Sequence, residues 1–161
     1  MRLIQLSMIG ALVALGTAAL PSQAAGSGAN SEAGQKAAPA IPPPPSGMGQ
    51  VVFYRSSRMG MLISCRVREE GEVVNKLPPG KYFIHHTTPG PHEYSVKSEK
   101  KDLLRIEVEE GETHYVRCAI RAGIGLGRPN LSPQSREDFD RRGEGLDLLP
   151  PYTPDKDDDK D

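Results

Sequence analysis

Four histidines, His85, His86, His92 and His114, fall within one stretch of the chain. Neutral imidazoles suit zinc, copper or nickel. If the segments 81–87, 93–99, 103–109 and 113–121 run as an up-and-down meander, these histidines gather near one pole. In a flat sheet, however, a strand separates His92 from His114 by roughly 10 Å. No helical His-x-x-x-His or adjacent carboxylate supplies a recognised ligand spacing, so surface or capping histidines are the simpler reading. A bound zinc or copper ion is the alternative. Met59, Met61 and Cys65 offer soft sulfur donors for copper(I), but a turn entering a buried strand accounts for the same residues.

The other chemical motifs are incomplete. Gly123, Gly125 and Gly127, followed by Arg128, form a Gly-rich run. A phosphate-cradling loop joins a parallel strand to a helix N-terminus, and no β-α-β pattern surrounds this one. It reads as a connection able to bind a partner. Asp155, Asp157 and Asp159 open like a calcium loop but lack its glycine and final glutamate. Neither G-x-S-x-G nor H-E-x-x-H occurs. Glu109, Glu110 and Glu112 cluster at a hairpin and keep it solvated. The expectation is a non-enzymatic protein without a cofactor.

The two cysteines lie on alternating runs. Cys65 shares a face with Ile63 and Val67, and Cys118 with Val116 and Ile120. Both sulfurs therefore point inward from half-buried strands. A bridge closing about 54 residues contributes roughly 4 kcal/mol in the chain-entropy model. Two separate buried thiols or a redox pair compete with this reading, and the absence of C-x-x-C disfavours redox chemistry.

The 161 residues carry a formal charge of −1, with 17 Gly, 15 Pro and no Trp. That neutrality argues against nucleic acid as a partner. Residues 1–24 show one basic residue, an apolar run from Met8 to Leu20 and small residues at Ser22 and Ala24, the pattern of a signal peptide. The run is short of the ~20 residues a bilayer needs, so no stable transmembrane span remains after cleavage; an uncleaved anchor is the alternative. Residues 25–49 are Gly, Ser, Ala and Pro almost throughout and read as a disordered, partly polyproline spacer. Residues 150–161 read as an acidic disordered tail.

Between them, residues 50–149 form the expected domain. Seven runs of period-two character, 50–55, 61–67, 72–76, 81–87, 93–99, 103–109 and 113–121, alternate with turns at Glu70-Gly71, Pro79-Gly80, Pro89-Gly90 and Glu110-Gly111. This spacing predicts an all-β, antiparallel seven-stranded sandwich, immunoglobulin- or transthyretin-like, with a short C-terminal helix. The helix is expected over 133–142, capped by Ser132, begun at Pro133, stopped by Gly143 and anchored by Phe139.

Three stretches carry a family resemblance: Gln50-Val51-Val52-Phe53-Tyr54-Arg55; Leu77-Pro78-Pro79-Gly80-Lys81-Tyr82-Phe83 with Pro89-Gly90-Pro91-His92; and Glu110-Gly111-Glu112-Thr113-His114-Tyr115-Val116-Arg117. Over about 49–149 the chain resembles an uncharacterised family of small bacterial envelope β domains, a domain of unknown function found in secreted proteins and lipoproteins. No cysteine stands near the cleavage site for lipid attachment. The resemblance implies a β-sandwich in the periplasm or outside the cell and transfers no catalytic residue. Together these readings point to an exported module that binds or supports an envelope protein or cell-wall component, through edge strands and the 122–131 loop. The rival is a periplasmic metal-binding protein using the histidines.

Overall fold

Short apolar runs punctuated by glycine turns build extended chain rather than helix, because each turn resets the direction before a helical period can establish itself. The computed structural model describes residues 37–96, 102–121 and 127–154. The expected signal segment, residues 25–36 of the spacer and the end of the acidic tail lie outside them, as do Gly123 and Gly125.

The strands are β1 (Gly49–Arg55), β2 (Cys65–Glu69), β3 (Glu72–Leu77), β4 (Lys81–Thr87), β5 (Gly90–Val96), β6 (Asp102–Val108), β7 (Thr113–Arg121), β8 (Arg128–Gln134) and β9 (Asp147–Leu148); the helix α1 spans Arg136–Arg142. One sheet has the order β8-β7-β1-β4-β9 and the other β3-β2-β5-β6. Val51, Phe53, Phe83, Val116 and Leu131 of the first sheet share a core with Val67, Leu77, Tyr94, Val96 and Val108 of the second. Cys65 and Cys118 join in a disulfide between β2 and β7, their Cα atoms 6.6 Å apart. The staple therefore ties one sheet to the other through the core.

The expectation of seven antiparallel strands is corrected in two ways. Among the described residues there are nine strands, and the first sheet is mixed: β1 runs parallel to β7, and β4 parallel to β9. Nor is there a meander from β4 to β7. The chain crosses from the first sheet to the second between β4 and β5, and back between β6 and β7. The large separation between β1 and β7 in sequence permits their parallel pairing, which no tight turn could make.

The helix begins later than expected. Ser132 and Pro133 belong to β8, an edge strand whose outer side leaves proline's missing N–H without consequence. Ser135 caps instead, its Oγ accepting from the Asp138 backbone N–H at 3.2 Å. Glu137 and Asp138 in the first turn and Arg141 and Arg142 in the last complement the helix dipole. Gly143 closes the helix as expected, donating its N–H to the Phe139 carbonyl at 2.6 Å.

Phe139 is wholly buried against Val52, Tyr54, Tyr82, Tyr115 and Leu146 on the outer face of the first sheet. β1 is thus covered on both sides. The stretch from residue 37 to 49 lies on the domain: Ala38 and Ile41 pack against the same aromatic cluster, and Gln50 Nε2 donates to the Pro42 carbonyl at 2.7 Å.

Two turns show why glycine stands where it does. Glu70 and Gly71 both take positive φ, +49° and +100°, the mirror-image turn that matches the twist of a two-residue hairpin. Gly80 takes φ +75° after Pro79, as the third position of a type II turn demands.

Candidate functional site

The strand ends place two different surfaces at opposite poles. At one pole, the pleat carries Glu69 inward from β2 in line with Cys65 and Val67. Its carboxylate reaches across to β4, where His85 Nε2 stands 2.8 Å from Oε2, and to β5, where His92 Nδ1 stands 2.8 Å from Oε1. His92 Nε2 lies 2.8 Å from the Thr88 carbonyl. Since that carbonyl can only accept, Nε2 is the donor. Tyr94, wholly buried, stacks beside His92 and meets His85 edge-on.

Burial by itself would push the Glu69 carboxyl up. The hydrogen bond and charge of His85, with help from Tyr94 and His92, outweigh burial and hold it below the usual carboxylate value. The Tyr94 phenol is pushed up, first by burial and then by the charge of Glu69.

The histidines therefore divide. His85 and His92 share one carboxylate. His86, on the next residue of β4, faces outward and is exposed. His114 stands in register with Val51, which in turn pairs with His85, so β1 separates the two histidines by about 10 Å. His114 Nε2 pairs with Glu112 Oε2 at 2.9 Å. Among the described residues, no group of three or more His, Cys, Asp or Glu side chains is placed to hold a metal ion. Cys65 is bridged, which removes the thiolate from any copper reading of Met59 and Met61.

The opposite pole is built around Arg55. This last residue of β1 continues the inward alternation of Val51 and Phe53, and it is wholly buried. Its Nη2 donates to the carbonyls of Met59 and Gly60, each at 2.8 Å, and its Nη1 donates to the Ile63 carbonyl. Desolvation lowers the guanidinium's proton affinity. The loop 56–64 is thereby gathered with its carbonyls inward, and Met59, Met61 and Leu62 turn out into water, at 62%, 70% and 102% exposure.

Gly127 and Arg128 close the neighbouring connection. A Cβ at Gly127 would overlap the Ile120 side chain, so the chain needs glycine there for close approach. Arg128 is a strand residue, in register with Arg121, which shortens the 122–131 loop expected from sequence.

A third polar cluster is structural. Asp138 accepts from Tyr54 Oη at 2.7 Å, Arg141 Nη2 at 2.5 Å and Arg142 Nε at 2.9 Å, fastening α1 to the sheet. Burial would raise this carboxyl, but hydrogen bonds from Arg142, Tyr54 and Arg141 prevail and hold it at about 2.

Sequence reasoning passed over Glu69 and Arg55. Both nevertheless had a signal: each is a charged residue on the apolar face of an alternating strand.

Fold and site define a class: a two-layer β domain joined through its core by one disulfide, with a carboxylate–imidazole cluster at one end and a clamped apolar loop at the other. Residues 45–127, more than half of the chain, match the family described as protein of unknown function DUF2846, and the chain belongs to that family. It is similar to an uncharacterized protein of Haemophilus influenzae (strain ATCC 51907 / DSM 11121 / KW20 / Rd), with 25% identity over 96 residues, covering 59% of this chain and 57% of the relative. The chain thus spans little more than half the length of that relative. No solved structure matches. Among the described residues, no helix is long and apolar enough to cross a membrane.

Proposed function

We propose that the protein is a non-catalytic binding module of the cell envelope, exported to the periplasm or beyond. The observation that carries this reading is the contrast between the poles. Carboxylates and imidazoles are engaged with one another at partly exposed positions, whereas the apolar side chains of 59–62 are held outward by a buried cation. A catalytic acid or base needs a free position within hydrogen-bond reach of a substrate, and Glu69 has one oxygen hydrogen-bonded to His85 and the other 2.8 Å from His92. The cross-sheet disulfide supports export, because such bonds persist in oxidising compartments.

The test is complementation of a deletion strain scored for envelope integrity under detergent stress. Replacing Glu69 by Gln with His85 and His92 by Ala is expected to restore growth as the parent does. Replacing Met59, Met61 and Leu62 by Ser is expected to fail at equal protein level. The reverse pattern would overturn the reading.

The rival function, metal handling, draws on the convergence of His85 and His92 at Glu69. It requires zinc or copper to compete with the contacts these groups now make to one another. Calorimetric titration of the chain with Zn²⁺ and Cu²⁺, compared with the His85→Ala, His92→Ala variant, tests it: tighter binding by the parent would favour the rival.

A further inference from the structure

We infer that the loop pole docks on an anionic phospholipid surface. The inference rests on the reading of the chain as an envelope-binding module and names its partner.

Three features of the pole carry it. The first is shape. Leu62 exceeds the exposure of an extended reference chain and Met59 and Met61 are about two-thirds exposed, so these side chains form a convex tip. Such a tip enters a deformable medium, and unbranched methionines adapt to one well.

The second feature is rigidity. The Arg55 guanidinium holds the carbonyls of Met59, Gly60 and Ile63 inward, and Gly60 rides on Ile120 so closely that a Cβ would stand 3.1 Å from its side-chain carbons. With the backbone held at these points, Met59, Met61 and Leu62 stand outward.

Charge is the third. Arg58 is exposed beside the tip, and with Met61 and Lys81 it lines one shallow depression. Arg121, at the end of β7, lies at the same pole and is exposed. Asp147 pairs with Lys81 at 3.1 Å, and Glu144 is exposed beside Gly145 of the same depression, so Arg58 and Arg121 carry the collar. An apolar tip with a cationic collar matches the acyl boundary and phosphate layer of a membrane, where each basic residue adds about 1 kcal/mol near an anionic surface.

The chain contains no tryptophan, so Leu62→Trp places a lone indole at the tip. Emission from the full chain is read against vesicles of phosphatidylglycerol in phosphatidylcholine and against pure phosphatidylcholine. The tip variants carry the same N-terminal segment, so comparing them with the parent separates tip insertion from any binding through that segment. With anionic vesicles the emission is expected to shift to the blue and to be quenched by brominated acyl chains, more weakly at high salt. Adding Met59→Ser and Met61→Ser should raise the lipid needed for half the shift by roughly tenfold. Emission that stays at its aqueous wavelength at saturating anionic lipid would refute the inference. So would a shift produced only by lipid-free envelope protein, which would assign the tip to a protein partner. In either case, tip variants that still fail complementation leave the module reading standing; tip variants that complement fully remove both.

Discussion

Replacing Arg55 by Met removes a buried cation while keeping most of the side chain's length and apolar volume. The guanidinium makes three bonds to carbonyls of the 59–63 segment. Hydrogen bonds to a charged group contribute about 1.5–3 kcal/mol each, or roughly 5–9 kcal/mol together. Against this stands the cost of burying the cation, several kcal/mol after relaxation. Methionine avoids that cost but leaves three carbonyls facing an apolar chain. These carbonyls belong to a surface loop and regain water if the loop loosens, so the orphaning penalty is partly escaped. The net expectation is a loss of about 2–4 kcal/mol in urea unfolding. Mass-spectrometric amide exchange should accelerate over 56–64, including the Ile63 N–H now bonded to the Gly60 carbonyl at 2.9 Å. Arg55→Lys keeps the charge but lacks the planar fork that reaches several carbonyls at once, and should recover less than half of the loss. If Arg55→Met unfolds within about 0.5 kcal/mol of the parent with unchanged exchange in the loop, the clamp described here does not hold the tip.

Two further tests address the frame. Cys65→Ala with Cys118→Ala should lose about 4 kcal/mol, the loop-closure entropy of a long cross-link. The urea m-value should rise as the unfolded chain expands; unchanged stability, or ready alkylation of both thiols on the untreated folded protein, would contradict the staple. Asp138 has a folded-state carboxyl at about 2, below its unfolded value of 3.8. Its contribution is therefore complete above about pH 4 and lost as pH falls through 2. Asp138→Asn should lower stability at neutral pH and flatten the loss between pH 4 and 2; a parallel acid-unfolding curve would refute the assignment.

The strands most readily seen in the sequence were those that local chemistry sets alone. Leu104, Ile106 and Val108 alternate with charged residues on β6, and Glu70-Gly71 and Pro79-Gly80 turn the chain through backbone angles available to them without tertiary help. The inward direction of Cys65 and Cys118 followed from period two, and Phe139 was recognisable as the lone aromatic of an otherwise polar helix. The helix start was misplaced because Ser132-Pro133 and Ser135 both offer caps. Only pairing of β8 with β7 decides between them.

Residue order by itself thus settled the β class, several turns, the side on which each cysteine lies and the anchor of the helix, because each depends on neighbours a few positions away. Tertiary structure alone decided that β1 pairs in parallel with β7, that a carboxylate from β2 stands between imidazoles of β4 and β5, and that three exposed apolar side chains are held outward by an arginine beneath them. Those outcomes depend on which strands meet across the core, and contact energies between residues distant in sequence leave no periodic trace in the chain.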